Sequence, residues 1–100
     1  MWQIVWEFRV SEEHRAEFEQ VYGPHGAWAA LFARSPEFRG TTLLADPAVP
    51  GRYLTLDTWS KPESFSEFQQ QFRAEYLDLD ARCGNLTQYE MKVGAFNTVL

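Results

Sequence analysis

The stretch Arg52-Tyr53-Leu54-Thr55-Leu56-Asp57-Thr58-Trp59-Ser60 alternates along its length between two sets of side chains. One side would carry Tyr53, Thr55, Asp57 and Trp59, and the other Leu54, Leu56 and Thr58. This period of two predicts a β-strand. An apolar stripe at helical spacing follows at once, formed by Phe65, Phe68, Phe72, Tyr76 and Leu79. A strand that leads directly into an amphipathic helix is therefore expected here.

Strand signals also occur on both sides of this segment. Residues 38–45 are predicted to pair antiparallel with residues 52–59, because the intervening residues 46–51 contain two prolines and a glycine. Residues 2–10 alternate as well, with Trp2, Ile4, Trp6, Phe8 and Val10 on one face. Residues 86–96 predict the last strand, in which Tyr89, Met91 and Val93 share a face.

Two helical regions complete the pattern. The first is expected to begin at Ser11 and to be interrupted by Gly23-Pro24-His25-Gly26, because proline removes a backbone donor. The second is expected to be capped by Ser60 and to stop at Gly84 in a left-handed conformation. The resulting order, β-α-β-β-α-β, predicts one α+β domain over residues 1–100. This is the ferredoxin-like arrangement, an antiparallel sheet with its helices on one face.

Composition excludes several classes of function. Nine basic and fourteen acidic residues give a net charge of −5, and no basic cluster occurs, so we expect neither a nucleic-acid nor a membrane partner. The single cysteine, Cys83, excludes a disulfide framework and a multi-cysteine metal site. The sequence begins without a signal-peptide pattern, and its longest apolar run, residues 27–33, is too short to span a membrane. A soluble, cytoplasmic protein is expected.

The face of the sheet turned away from the helices also carries apolar residues. Val5, Leu54 and Leu56 would be exposed to water there in a monomer. An uncovered apolar sheet face is typical of a partner surface, and two such faces would form a symmetric homodimer. The alternative is that these are ordinary exposed apolar side chains.

The element order, the length and the segment 52–60, with Trp59 at the strand end before a Phe-bearing helix, resemble the antibiotic biosynthesis monooxygenase (ABM) domain of the dimeric α/β-barrel superfamily. Residues 22–32 are similar to an uncharacterised bacterial subgroup of that family. The resemblance implies a homodimeric barrel with a pocket between sheet and helices in each subunit. Some family members oxidise polycyclic aromatic compounds to quinones without metal or flavin, some act on small quinols, and others cleave haem.

The sequence departs from the haem-cleaving members of the family. Trp59 matches their strand-end tryptophan, but Trp6 or Glu7 stands where they have an asparagine. Residues 62–82 contain no histidine, and residues 69–71 are glutamines where their iron ligand would lie. Glutamine is a poor iron ligand compared with imidazole. The interpretation is therefore that the chain uses no haem, and neither a cofactor nor a metal is expected.

Two residues are candidate proton acceptors. Asp57 is a charged residue in an otherwise apolar strand, so it needs a partner or a raised pKa if its face is buried. Arg73 or Tyr76 of the opposed helix could provide that partner. His25, in the break of the first helical region, could act as a general base. The structural alternatives are a buried anchor for Asp57 and an exposed loop position for His25.

The candidate substrate-binding residues are mainly aromatic. Trp6 and Trp59 are predicted to lie side by side on adjacent strands, where flat rings would suit a flat aromatic ligand. The full set of candidates is Trp6, Trp59, Tyr53, Trp28, Phe72, Tyr76 and Arg73. The alternative is that the tryptophans only fill the core.

Two hypotheses for the function follow. The first is a cofactor-independent monooxygenase that acts on an aromatic or quinol-type small molecule. The second is a non-catalytic, ligand-binding or stress-associated dimeric barrel that holds a hydrophobic compound. The fold alone cannot decide between them, because one fold carries many functions.

Overall fold

The computed structural model describes residues 1–100, whose elements are strands and helices. Its antiparallel sheet has the strand order β2-β3-β1-β4. The strands are β1 (Trp2–Arg9), β2 (Phe38–Ala45), β3 (Arg52–Trp59) and β4 (Tyr89–Asn97). The ferredoxin-like fold predicted from the sequence is confirmed, and so are the bounds of β2 and β3.

Four α-helices, preceded by one 3₁₀ turn at Glu12–His14, connect the strands. They are α1 (Arg15–Tyr22), α2 (Ala27–Phe32), α3 (Pro62–Gln71) and α4 (Arg73–Cys83). The interruption predicted around Pro24 separates α1 from α2. The second helical region is also broken, at Phe72, which the continuous apolar stripe did not reveal. None of these helices combines the length and the apolar character needed to cross a membrane.

Three predictions about the ends of elements are wrong. The residue before α3 is Lys61, not Ser60, because the Ser60 hydroxyl is bonded to the Glu37 carboxylate and lies 3.3 Å from the Ser64 hydroxyl. Gly84 has a right-handed φ of −58° and does not form a left-handed cap. The last strand begins at Tyr89 rather than at residue 86, since Leu86 is buried in the core before the strand.

The core lies between the sheet and the helices and is largely aromatic. Phe18 and Tyr22 of α1 stack with their ring centroids 4.3 Å apart, and Phe8 of β1 packs against both. A second group of rings surrounds Trp59, namely Phe32, Phe38, Phe65 and Phe68, at centroid distances of 5.1–5.5 Å. Burial of such large rings is the main stabilising contribution in so short a chain.

Two irregularities change the alternation of the edge strands. In β2, Phe38 pairs with Trp59 but Gly40 pairs with Thr58, so Arg39 is an extra residue in a β-bulge. Gly40 has a φ of +116°, which a residue with a Cβ rarely adopts. In β4, the register shifts between the partners of Val5 and Trp6, and Val93 is the extra residue. Residues beyond each bulge therefore point to the face opposite to the one that strict alternation predicts.

The face of the sheet away from the helices is not covered by any element of the chain. The register places Val5, Leu54 and Leu56 on it, together with the edge-strand residues Leu44, Met91 and Phe96. The three edge-strand side chains are 44–50% exposed. At one end of this outer face, Arg52 forms ion pairs with Glu7 and Asp46, each at 2.9 Å.

Candidate functional site

A cleft of about 520 Å³, including its part open to solvent, lies between the sheet and the helices. It is lined by Trp6, Phe8, Tyr22, Trp28, Phe32, Thr41, Thr55, Asp57, Tyr76, Asp80 and Glu90. Strands β1, β2, β3 and β4 all contribute to it, as do helices α1, α2 and α4.

Aromatic rings form much of the wall of the cleft. Trp28 of α2 meets Tyr76 of α4 edge to face, with ring centroids 5.2 Å apart, and lies 6.3 Å from Tyr22. Trp6 and Phe8 lie along β1 with near-parallel rings at 6.5 Å. Such surfaces favour a flat, largely apolar ligand, because stacking and exclusion of water both contribute to its binding.

Asp57 of β3 lies among these rings on the helix-facing side of the sheet. Its side chain is half-buried, and burial raises the pKa of its carboxyl to about 6. Its one side-chain hydrogen bond comes from Thr41, whose hydroxyl donates to Oδ1 at 2.6 Å and by itself lowers the pKa. The face that Asp57 shares with Tyr53 and Trp59 is turned to the helices, and its hydrogen-bond partner is Thr41 rather than Arg73 or Tyr76.

Two further carboxylates, Asp80 of α4 and Glu90 of β4, line the same cleft. Burial, with the nearby charge of Asp80, raises the pKa of Glu90. Neither these two residues nor Asp57 forms an ion pair, and the lining contains no basic side chain. The electrostatic potential of the cleft is therefore unfavourable for an anionic ligand.

The phenols of the cleft can act as hydrogen-bond donors. Burial raises the pKa of both Tyr22 and Tyr76, and nearby carboxylates raise it further, so both hydroxyls stay protonated at neutral pH. No group of three or more His, Cys, Asp or Glu side chains is arranged to hold a metal ion. The chemistry available from these side chains is thus proton acceptance by a carboxylate and donation by phenols.

The structure brings four of the predicted site residues together, namely Asp57, Trp6, Trp28 and Tyr76. The prediction that Trp6 and Trp59 lie side by side is wrong, because Trp59 pairs with Trp2 while Trp6 pairs with Thr55. Trp59 is 0% exposed and lies inside the ring cluster of the core, outside the cleft.

The other four predicted residues also lie outside the cleft. Tyr53 is buried and its hydroxyl donates to Glu19 at 2.5 Å, while Phe72 packs on Phe68 beneath the guanidinium of Arg34. Arg73 is an exposed residue of α4. His25 is exposed in the turn between α1 and α2, so the structure does not bring it to Asp57.

Sequence reasoning missed Thr41, Thr55, Asp80 and Glu90 of the cleft, and all but Glu90 had a signal in the sequence. Thr55 alternates with Asp57 along β3. Thr41 follows a glycine inside a strand, which is typical of a bulge. Asp80 is four residues after Tyr76, so both lie on one face of α4. Glu90 lies on the helix-facing side of the edge strand because it pairs with Phe8, and this pairing is known only from the structure.

The comparisons with known proteins agree with this architecture. The oxygenase SnoaB from Streptomyces nogalater, described as cofactor-independent, matches with a TM-score of 0.77 and 27% identity over 99% of this chain and 93% of its own. A protein from Bordetella bronchiseptica, provisionally assigned as an antibiotic biosynthesis monooxygenase, matches with a TM-score of 0.75 and 19% identity over 99% and 97% of the two chains. No family model matches the chain, and no curated protein matches it.

Proposed function

We propose that this chain, which by fold and resemblance belongs to the antibiotic biosynthesis monooxygenase family, is a cofactor-independent monooxygenase of a neutral aromatic or quinol-type small molecule. The observation that carries the proposal is the position of Asp57, a half-buried carboxylate without a cationic partner among aromatic walls. A carboxyl with a pKa of about 6 is mostly ionised at neutral pH and is a better base than an exposed aspartate.

The reaction fits a substrate with an acidic methylene group next to a carbonyl and aromatic rings. Asp57 takes one methylene proton, and the electron-rich enolate then transfers electrons to dioxygen and forms a C–O bond. The peroxide anion takes this proton back from Asp57 and becomes a hydroperoxide. Asp57 then removes the second hydrogen of the same carbon as a proton, and the O–O bond breaks. The hydroxide released takes that proton and leaves as water, so one methylene and one dioxygen give one carbonyl and one water. The protein contributes orientation, and the phenols of Tyr22 and Tyr76 can donate a hydrogen bond to the enolate oxygen.

Anthrone, a flat tricyclic ketone with such a methylene group, is the test substrate. We expect consumption of one dioxygen per anthraquinone formed, at a rate well above that of the buffer alone, followed with an oxygen electrode and by absorbance. Because Asp57, Asp80 and Glu90 give the cleft a negative lining, a carboxylate derivative of anthrone should react at least about 10-fold more slowly. If neither compound were oxidised faster than in buffer alone, the proposal would be contradicted.

The alternative function, a ligand-binding barrel without catalysis, makes a different prediction for the same mixture. Trp6 and Trp28 line the cleft, so a bound aromatic compound would quench tryptophan fluorescence. Quenching by anthrone without oxygen uptake would favour this alternative.

We further propose that the chain forms a homodimer through the outer face of the sheet. The uncovered apolar residues of that face, Val5, Leu44, Leu54, Leu56, Met91 and Phe96, support this partner, since water contact with them is unfavourable. Two copies related by a two-fold axis would cover the same face of each other.

The variant Leu56→Glu tests the dimer. Leu56 is central on the outer face, between Val5 of β1 and Thr42 of β2, so a buried glutamate there should weaken dimerisation about 100-fold or more. Sedimentation equilibrium should show that the variant is a monomer. Its circular dichroism spectrum should match that of the wild type, which shows that the variant is folded. The control Leu77→Glu, at a 51% exposed position on α4, should remain dimeric. A wild-type monomer, or a dimer unaffected by Leu56→Glu, would contradict this interface.

A further inference from the structure

The bulge in β2 turns Thr41 toward the helices. Phe38 packs against Trp59 on the helix-facing side, so strict alternation from Phe38 would place Gly40 on that side and Thr41 on the outer face. The extra residue, Arg39, reverses this pattern. Thr41 consequently pairs with Asp57 and shares its face, and it is only 9% exposed.

The bulge depends on a residue that tolerates an unusual backbone conformation. Gly40 adopts a φ of +116°, which is strained for any residue with a Cβ. A Cβ at Gly40 would meet no atom within 4 Å, so the backbone angle and not crowding explains the glycine. Bulges that redirect a side chain are frequent next to active sites.

The contact that results involves one oxygen of Asp57 only. The Thr41 hydroxyl donates to Oδ1 at 2.6 Å, and the side chain makes no other hydrogen bond, so Oδ2 has no protein partner. We propose that Thr41 is a positioning residue, which fixes the Asp57 carboxylate through Oδ1 and leaves Oδ2 to accept a proton from a substrate in the cleft. This inference rests on the role proposed above for Asp57.

Thr41 is the one residue facing Asp57 whose side chain hydrogen-bonds the carboxylate. The titratable groups around it are Tyr76 and Asp80 from α4, Tyr22 from α1 and Glu90 from β4. The four strands and the helices around the cleft bring no cation to it. Neither phenol makes a hydrogen bond to Asp57, an ionised carboxylate cannot donate one, and the Thr41 hydroxyl is the one group that lowers the pKa of Asp57.

The variant Thr41→Val tests the inference without any substrate. It keeps the shape of the side chain and removes the hydroxyl, so the pKa of Asp57 should rise by about one unit or more above its wild-type value. The measurement is a pH titration of the Asp57 carboxyl carbon by NMR in the intact protein. Thr41→Ser, which retains a hydroxyl, should restore most of the wild-type value. Thr42→Val, on the opposite face of the same strand, is the matched control and should leave the pKa of Asp57 unchanged.

The pH profile of anthrone oxidation provides the second reading. In Thr41→Val the acid limb of the pH–rate profile should move to higher pH by the same amount as the Asp57 pKa measured by NMR. An unchanged Asp57 pKa in Thr41→Val would overturn the inference about Thr41, whatever happens to the rate. The pKa of Asp57 could instead rise in the NMR titration without a matching shift of the rate profile. That result would establish the contact with Thr41, but it would overturn both the positioning role of Thr41 and the role of Asp57 as the base.

Discussion

The variant Asp57→Asn is expected to lower anthrone oxidation by about 100-fold or more, since general-base catalysis typically contributes 10²–10⁴-fold. An asparagine retains an Oδ1 that accepts the hydrogen bond from Thr41, so the geometry of the cleft should persist. What is lost is the carboxylate that takes the proton. In the wild-type protein the rate should fall as the pH drops through about 6, because the protonated form of Asp57 is not a base.

The same variant should be more stable than the wild type above pH 6. The folded-state pKa of Asp57 is raised from 3.8 to about 6, so the folded protein binds more protons than the unfolded chain between these values. The free energy of unfolding therefore falls as the pH rises through this window. A shift of about two units corresponds to at most about 3 kcal/mol, and contact with water in the open cleft reduces it.

Denaturant unfolding at two pH values measures this effect. Asp57→Asn should gain about 1–3 kcal/mol over the wild type at pH 8 and about nothing at about pH 3, where the aspartate is mostly neutral in both the folded and the unfolded state. Glu67→Gln, an exposed position on α3 outside the cleft, is the control and should change neither rate nor stability. A variant that keeps the wild-type rate would remove Asp57 from the reaction, and one destabilised equally at both pH values would identify it as a structural anchor.

The fold was predictable because its signals are local. Period-two alternation and the turn residues at 46–51 suffice for β2, β3 and their antiparallel pairing. The face that Asp57 shares with Tyr53 and Trp59 follows from the same alternation. The break within the second helical region was less predictable, because Phe72 interrupts the helix without interrupting the apolar spacing.

The site was less predictable because it depends on register across strands. Trp6 and Trp59 share the helix-facing side, but whether they are neighbours is decided by the pairing of β1 with β3, which no local pattern specifies. Thr41 shows the same limit. Its direction depends on one extra residue in β2, and alternation counted without the bulge places it on the wrong face.

The variant Trp59→Ala should affect stability rather than the chemistry of the cleft. Trp59 is 0% exposed and touches four phenylalanine rings, so the cavity left by its removal should cost about 3–5 kcal/mol. For a chain of this size that corresponds to a fall in Tm of about 15–30 °C, measured by thermal unfolding in circular dichroism. The lost free energy of unfolding, about 3–5 kcal/mol, is a large fraction of the stability of a typical small domain.

Two comparisons separate packing from function. The indole N–H of Trp59 is buried without a hydrogen-bond partner, so Trp59→Phe removes an unsatisfied donor while keeping part of the ring contacts. Its loss of stability should be less than half that of Trp59→Ala.

Trp6→Ala, at a half-buried position in the cleft, should instead weaken anthrone binding about 10-fold with a smaller change in Tm. If Trp59→Ala melted within a few degrees of the wild type but lost oxidation, Trp59 would belong to the reaction, and the boundary drawn between core and cleft would be wrong.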